Sequence, residues 1–214
     1  MEFELWEPFY EAIIEDFGYS RDEDRRAARF LDENLEPFDT ERLDAIVRDE
    51  MAVVVGDAPS LEPSRVPEDG VVVAADGAAE RLSDAGVRVD VMVTDLDGAP
   101  TYAAEMSHGD DGTVVMHAHG DNRDALERWL PEFEVSNVVG TTQVDPREFD
   151  ALHNFGGFTD GDRSAFLADA FGASRIEVVG FDFTAAEGEK REKLRWAQRL
   201  LRVLSEERDE NIVG

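Results

Sequence analysis

Val87-Arg88-Val89-Asp90-Val91-Met92-Val93-Thr94-Asp95-Leu96-Asp97-Gly98 decides the fold class. Its apolar run, 89–93, is rich in β-branched residues and too short for a helix, and it runs into two short acids and a glycine. That is the profile of a strand covered on both faces that delivers polar side chains at its carboxyl end. The same texture recurs at 51–55, 71–75, 113–116, 137–139 and 176–179, each run followed by a polar or glycine-bearing turn. Between the runs lie helix-like stretches at about 77–85, 100–106, 122–130, 161–171 and 194–204. Buried strands alternating with helices predict an α/β, Rossmann-like layered domain with a mostly parallel sheet over residues 51–214. In such sheets ligands bind beyond the carboxyl ends of the strands.

Residues 1–50 read differently. Ile13, Ile14 and Phe17, then Ala27, Ala28, Phe30, Leu31 and Leu35, then Leu43, Ile46 and Val47 recur at helical spacing. Ser20 with Glu23 three residues on is a capping-box pattern, Asp39 or Thr40 caps the next segment, and Pro37 separates the two. The expectation is an N-terminal helical preface packed on the α/β domain.

The chain has 214 residues, with 21 Lys plus Arg against 50 Asp plus Glu, a formal charge of −29. Such a surface repels nucleic-acid phosphates and anionic lipid, so neither is an expected partner. No cysteine is present, which excludes disulfides, thiolate metal sites and thiol nucleophiles. No apolar run reaches the roughly 18 residues of a membrane span, and the acidic start does not resemble a secretory signal. The expected location is the cytoplasm. Lys190 and Lys193 are the only lysines. Extreme acidity with almost no Lys points to a cytosol at molar salt, where the Debye length is about 3 Å, and so to a halophilic archaeon.

The strand ends carry the candidate chemistry. Gly56-Asp57-Ala58-Pro59-Ser60 offers backbone N–H groups and a hydroxyl to phosphate, or is simply a tight turn. Asp76 faces a ribose hydroxyl or a metal-bound water, or caps a helix. Asp95 and Asp97, two apart on an extended segment, can converge on one Mg²⁺ and leave coordination positions for phosphate oxygens. In a chain with this many acids, an acid–any–acid triplet arises by chance about a dozen times, so the weight lies in its place after a buried strand. Asp-Leu-Asp-Gly also suggests the haloacid-dehalogenase phosphatases, but Ala99 stands where Thr is expected and the only lysines come near the chain's end with no strand after them, where that chemistry places a Lys and then an acidic pair on later strand ends. His117 and His119 share a strand face. With no other His or Cys nearby they make a poor zinc site, and an imidazole contact to phosphate or substrate is the better reading. Asp121 caps the next helix or joins the metal set, and Asn122 opens that helix. Thr141 and Gln143 suit the edge of a heterocycle, or only satisfy turn backbone. In the stretch 153–164, Phe155 can stack on a flat ring and Arg163 can meet phosphate. Lys190 and Lys193 either neutralise phosphate or form the solvated face of the last helix.

In order, Gly56-Asp57-Ala58-Pro59-Ser60-Leu61-Glu62, Ala75-Asp76-Gly77-Ala78, Thr94-Asp95-Leu96-Asp97-Gly98, His117-Ala118-His119-Gly120-Asp121-Asn122, Gly140-Thr141-Thr142-Gln143, the run 154–164 and Gly180-Phe181-Asp182-Phe183 resemble the archaeal 6-hydroxymethyl-7,8-dihydropterin diphosphokinase family over about residues 50–195. The first segment departs from that family's pattern by placing Ala58 where a second glycine is usual. The resemblance implies Mg²⁺-dependent transfer of diphosphate from ATP to the pterin hydroxymethyl group, with release of AMP, in the making of a folate- or methanopterin-type coenzyme. It implies Asp95 and Asp97 as metal ligands, with Asp121 as a third acid and Arg163 completing the catalytic set. ATP would be held by Gly56, Ser60, Asp76, His119, Asn122, Lys190 and Lys193. The pterin would be read by Thr141, Gln143, Asn154, Phe155 and Asp182. Thiamine diphosphokinases share the same logic of acids at strand ends. A thiamine acceptor and a nucleotide-binding protein without turnover are the alternatives, and assembly into a homo-oligomer is left open.

Overall fold

The computed structural model describes residues 1–109, 112–184 and 186–213. Seven strands, β1 (Met51–Val55), β2 (Val71–Ala75), β3 (Val91–Thr94), β4 (Thr113–Ala118), β5 (Val138–Thr142), β6 (Leu152–His153) and β7 (Arg175–Val179), form one sheet in the order β6-β5-β4-β3-β2-β1-β7. Every adjacent pair is parallel. β1 to β5 are buried along almost their whole length, as their Val-rich sequences require. The two edges are blunted in different ways. β6 has two residues, and β7 carries the ion pair Arg175–Glu177 at 2.8 Å.

The sequence reading holds for all six of its strands, with 51–55 and 71–75 unchanged and the ends of the other four shifted. The third begins at Val91 rather than residue 89, because Asp90 turns inward to accept the Val72 N–H at 2.9 Å. The fourth and fifth run further, to Ala118 and Thr142, which places His117 and Thr141 within the sheet and in register with each other. β6 is an addition to the reading, since two residues leave no periodicity to detect.

The helices are α1 (Phe3–Phe17), α2 (Arg21–Asp32), α3 (Glu41–Val47), α4 (Gly77–Asp84), α5 (Pro100–Ser107), α6 (Arg123–Trp129), α7 (Asp160–Ala170) and α8 (Gly188–Arg208). From β2 to β5 the chain steps in one direction across the sheet, so right-handed crossovers put α4, α5 and α6 on one face. The connection from β6 to β7 returns the other way. α7 therefore crosses the opposite face, packing on β1, β2 and β3. Its first turn lies at the carboxyl ends of those strands, and this placement completes the site.

Ser20 Oγ accepts the Glu23 N–H at 3.4 Å, as the capping pattern predicts, and Asp39 Oδ1 accepts that of Glu41 at 3.1 Å. α2 packs on β4, β5 and β6, and Trp6, Tyr10, Ile13 and Leu31 are buried in the same apolar core as Val53, Met92 and Val139. No helix among the described residues is long and apolar enough to cross a membrane.

Candidate active site

Four carboxylates gather at the carboxyl end of the sheet. Asp76 follows β2, Asp95 and Asp97 follow β3, and Asp160 opens α7. Strand alternation is not what turns Asp95 and Asp97 toward each other. β3 ends at Thr94, and Leu96 takes a left-handed backbone (φ 70°) with its side chain buried. A Leu tolerates that conformation only when its surroundings impose it. Here Thr94 does so. Its Oγ1 accepts the Leu96 N–H at 2.8 Å and donates to Asp76 Oδ1 at 2.7 Å. Asp76 itself has positive φ (34°) and also accepts the Ala99 N–H at 3.3 Å. Its other oxygen lies where a Cβ on Gly98 would come within 2.0 Å, so Gly98 is required by the approach of this carboxylate.

Crowding four acids has electrostatic consequences. Partial burial, then the charge of Asp95 and contacts with Asp76, push the Asp97 carboxyl up to about 7. Burial also pushes Asp95 up, but the hydrogen bond from His119, with the charge of Arg163, outweighs it and holds this carboxyl at about 2. Asp160 is pushed well above the carboxylate range, by burial first and then by Asp95, Asp76 and Asp97, against the pull of Arg163.

The nitrogen groups acting on this cluster are the His119 imidazole and the Arg163 guanidinium. His119 Nε2 lies 3.2 Å from Asp95 Oδ2, while its Nδ1 accepts the Asp121 N–H at 3.3 Å. Nδ1 is thus the bare nitrogen and Nε2 the one that donates to Asp95. Asn122 ties the two strand ends together, donating to Asp95 O at 2.8 Å and His117 O at 2.7 Å and accepting the His119 N–H at 3.0 Å. Arg163, buried, donates through Nη1 to Asp160 Oδ1 at 3.0 Å. Two residues along α7 from Asp160, Asp162 does something different. It accepts from the Phe158 and Thr159 N–H groups at 2.6 and 2.8 Å and closes a capping box.

The structure places the remaining expected residues as follows. Gly56 and Gly180 are in close backbone contact, and a Cβ on Gly56 would lie 2.8 Å from Gly180 O. The N–H groups of Gly56 and Ala58 already donate to Val179 O and Gly180 O, at 2.9 and 3.0 Å, so they are not free for phosphate. Ala58 is not among the residues with positive φ, so this loop has no need of a second glycine. Ser60 is exposed, on a loop that Arg81 pins by donating to Asp57, Ala58 O and Leu61 O. Asp121 is exposed and gives its backbone N–H to His119. The Asn154 side chain is occupied by its own loop, donating to Val144 O at 3.2 Å and accepting the Gly156 N–H at 2.9 Å. Gln143 is buried, and its carbonyl accepts the Trp6 indole N–H at 2.9 Å. Phe155 stacks on His153 with ring centres 5.6 Å apart. Asp182 accepts from the N–H and hydroxyl of Thr184, at 2.9 and 2.8 Å. Lys190 and Lys193 lie in the first turns of α8. Lys190 is exposed, and Lys193 sits 3.4 Å from Glu189 and over the Tyr19 ring.

Among the described residues, no three His, Asp or Glu side chains are arranged as a ready-made metal cage. The donor set nevertheless fits a hard divalent cation. Asp95 Oδ1 is buried with no hydrogen-bond partner, and Asp97 stands beside it. Mg²⁺ is commonly held by one or two carboxylates, with substrate phosphates completing the shell.

Residues 25–188 match the family described as 6-hydroxymethylpterin diphosphokinase MptE-like. The chain belongs to that family. It is 42% identical to the 6-hydroxymethyl-7,8-dihydropterin pyrophosphokinase of Pyrococcus furiosus, over 95% of this chain and 94% of that one. The protein of the same name from Methanothermobacter thermautotrophicus is 39% identical over 99% of both chains, and that from Methanocaldococcus jannaschii 34% over 86% of this chain and 80% of its own. For this MptE-like chain the expected family stands, and with it a parallel α/β sheet with acids at its carboxyl edge. Residues that the sequence reading passed over are Asp160, Thr94, Arg81 and Asp24. Asp160 looks like any acid in a first helical turn, and only the path of α7 across the sheet brings it to Asp95.

Proposed function

We propose that this protein transfers diphosphate from ATP to 6-hydroxymethyl-7,8-dihydropterin and releases AMP. The observation that carries this reading is the meeting of Asp95 and Asp97 at the carboxyl edge of a parallel sheet, with one buried Asp95 oxygen unpartnered, in a chain of this family. The reaction joins the pterin hydroxymethyl oxygen to the β-phosphorus of ATP and breaks the bond from that phosphorus to the α–β bridging oxygen, which leaves with AMP. The hydroxyl proton is released. Little covalent work falls to the protein, which must align two reactants and balance charge. When bound, Mg²⁺ supplies positive charge to the phosphate oxygens that a chain of this acidity cannot otherwise approach.

Asp95 and Asp97 are the ligands suited to that ion. His119 fixes the rotamer of Asp95 through Nε2, and Asn122 fixes the strand end that carries it. Thr94 and Asp76 hold the turn that presents Asp97. Arg163 is the buried cation beside them and is placed to offset charge at the transferring group. The enzyme works in the cytoplasm at high salt, where screening lets ATP approach.

The test is incubation with ATP, Mg²⁺ and 6-hydroxymethyl-7,8-dihydropterin in concentrated KCl. AMP and the pterin diphosphate are expected in equal amounts. ADP would indicate an ordinary kinase, AMP only with thiamine would reassign the acceptor, and binding of ATP without turnover would leave a nucleotide-binding protein.

A further inference from the structure

One buried pair of polar atoms plays no part in the arrangement described so far. His117 lies in β4 with its side chain on the α7 face, 3% exposed. Its Nδ1 is 3.0 Å from Thr141 Oγ1, and the Thr141 hydroxyl donates its one proton to Met116 O at 3.1 Å. Thr141 can therefore only accept from His117, which places the imidazole proton on Nδ1. The opposite nitrogen, Nε2, is then a bare acceptor, and it is buried without a hydrogen-bond partner. Burial first, then Arg163 and His119, keep this ring neutral against a hydrogen-bonding approach of the Gln143 side chain, which falls short of a formed bond to Nε2.

Arg163 supplies the complement. Its Nη1 is engaged by Asp160, but its Nε–H is also buried and unpartnered. His117 and Arg163 line the same small cavity, together with Thr141, Phe155 and Gly156. An unmet acceptor and an unmet donor on two residues that line one void each carry a desolvation cost of about 1–3 kcal/mol, which a ligand with the reverse pattern removes. The void measures about 10 Å³, comparable to one water-sized sphere, so it admits the edge of a ring and not its body.

We infer that His117 Nε2 and Arg163 Nε form the subsite that reads the lactam edge of the acceptor heterocycle. His117 accepts the ring N–H, and Arg163 donates to the adjacent ring carbonyl. This rests on the proposed pterin activity and assigns one end of its substrate. The cavity adjoins the acid cluster through Arg163, whose Nη1 reaches Asp160 and whose side chain also lines the cavity beside His117. One side chain thus joins the subsite that orients the ring to the carboxylates that handle phosphate. Thr141 is the positioning residue, since its hydroxyl fixes the tautomer.

The test measures binding of 6-hydroxymethylpterin and its N3-methyl derivative, which lacks the lactam N–H, by pterin fluorescence at high KCl. The wild-type protein should prefer the parent by about tenfold or more. His117→Phe should bind the parent about tenfold more weakly and discriminate between the two less than about twofold, with affinity for a non-hydrolysable ATP analogue unchanged. Thr141→Val, which frees the tautomer, should lose part of the preference and serves if the Phe variant does not fold. In turnover, the pterin KM should rise with little change in kcat. If a folded variant keeps the full wild-type preference, the cavity holds only a structural water and the inference is overturned. If the wild-type protein binds no pterin, the proposed activity itself falls. Wild-type binding and turnover with unchanged discrimination in the variants would remove the subsite alone.

Discussion

Asp24 Oδ1 accepts the backbone N–H of Gly120 at 2.7 Å, so a buried side chain of the second helix holds the turn that carries His119. Its Oδ2 accepts the Tyr10 hydroxyl at 2.6 Å. A Cβ on Gly120 would lie 2.8 Å from Glu23 Cβ, so helix and turn are in direct contact. Through Asp24, and through the bond from Trp6 to Gln143 O, the N-terminal helices buttress the turns after β4 and β5.

Asp24→Ala should therefore cost both stability and rate. It leaves the Gly120 N–H and the Tyr10 hydroxyl unmet, which should lower unfolding free energy by about 2–3 kcal/mol. Because His119 is no longer held, kcat should fall about tenfold or more. Tyr10→Phe, which spares the Gly120 bond, should lower stability by about 1 kcal/mol and leave kcat nearly unchanged. Urea melts and steady-state kinetics of the two variants check this, and equal kcat losses would refute it.

Gly98→Ala should cripple turnover. The new methyl group would displace the Asp76 carboxylate, and with it the turn that presents Asp97. A shift of about 1 Å in such a site costs about 100-fold in rate. Measured AMP formation within about threefold of wild type would contradict this reading of the turn.

Thr94→Val preserves shape but removes the hydroxyl that serves Leu96 and Asp76. Loss of about 1–3 kcal/mol is expected, with Thr94→Ser close to wild type. Denaturation of both proteins compares them directly.

Asp97→Asn should separate folding from function. Partial burial and repulsion by Asp95 and Asp76 disfavour the charged Asp97 carboxylate, so neutralising it relieves the folded state instead of weakening it. The melting temperature should hold or rise while turnover falls by about 100-fold or more. A melting temperature several degrees lower, or wild-type rates, would remove Asp97 from its assigned place.

The surplus of 50 acids over 21 bases predicts salt-dependent stability. Thermal melts in KCl should shift upward as salt rises through roughly 1 M, where the Debye length is about 3 Å. A protein most stable without salt would contradict the reading of its surface.

The fold was legible because it rests on local pattern. Valine-rich runs such as Val71–Ala75 are buried on both faces, and burial on both faces leaves continuous apolar sequence. Asp95 and Asp97 were legible from their place after such a run. The reason offered by pattern, strand alternation, differs from the structure, where Thr94 and a left-handed Leu96 make the turn. Asp160 and Asp162 could not be told apart in sequence. Both are acids in the first turn of α7, where acids are favoured anyway, yet one caps the helix and the other faces Asp95. Asp24 was equally hidden, since its partner Gly120 lies 96 residues away.

β1 lies between β2 and β7, and Trp6, Tyr10 and Asp24 depend on partners at residues 120 and 143 or on one another. The helices carrying these side chains thus leave a ribosome before the middle segments they pack on, and the first strand before the seventh. Maturation cannot proceed as a steady growth from the amino end, and contacts this distant along the chain make for slow acquisition of the native state. A fragment trimmed to the family-matched span, residues 25–188, would lack Tyr10, Trp6, Asp24 and most of α8, and with them the struts under the turns after β4 and β5.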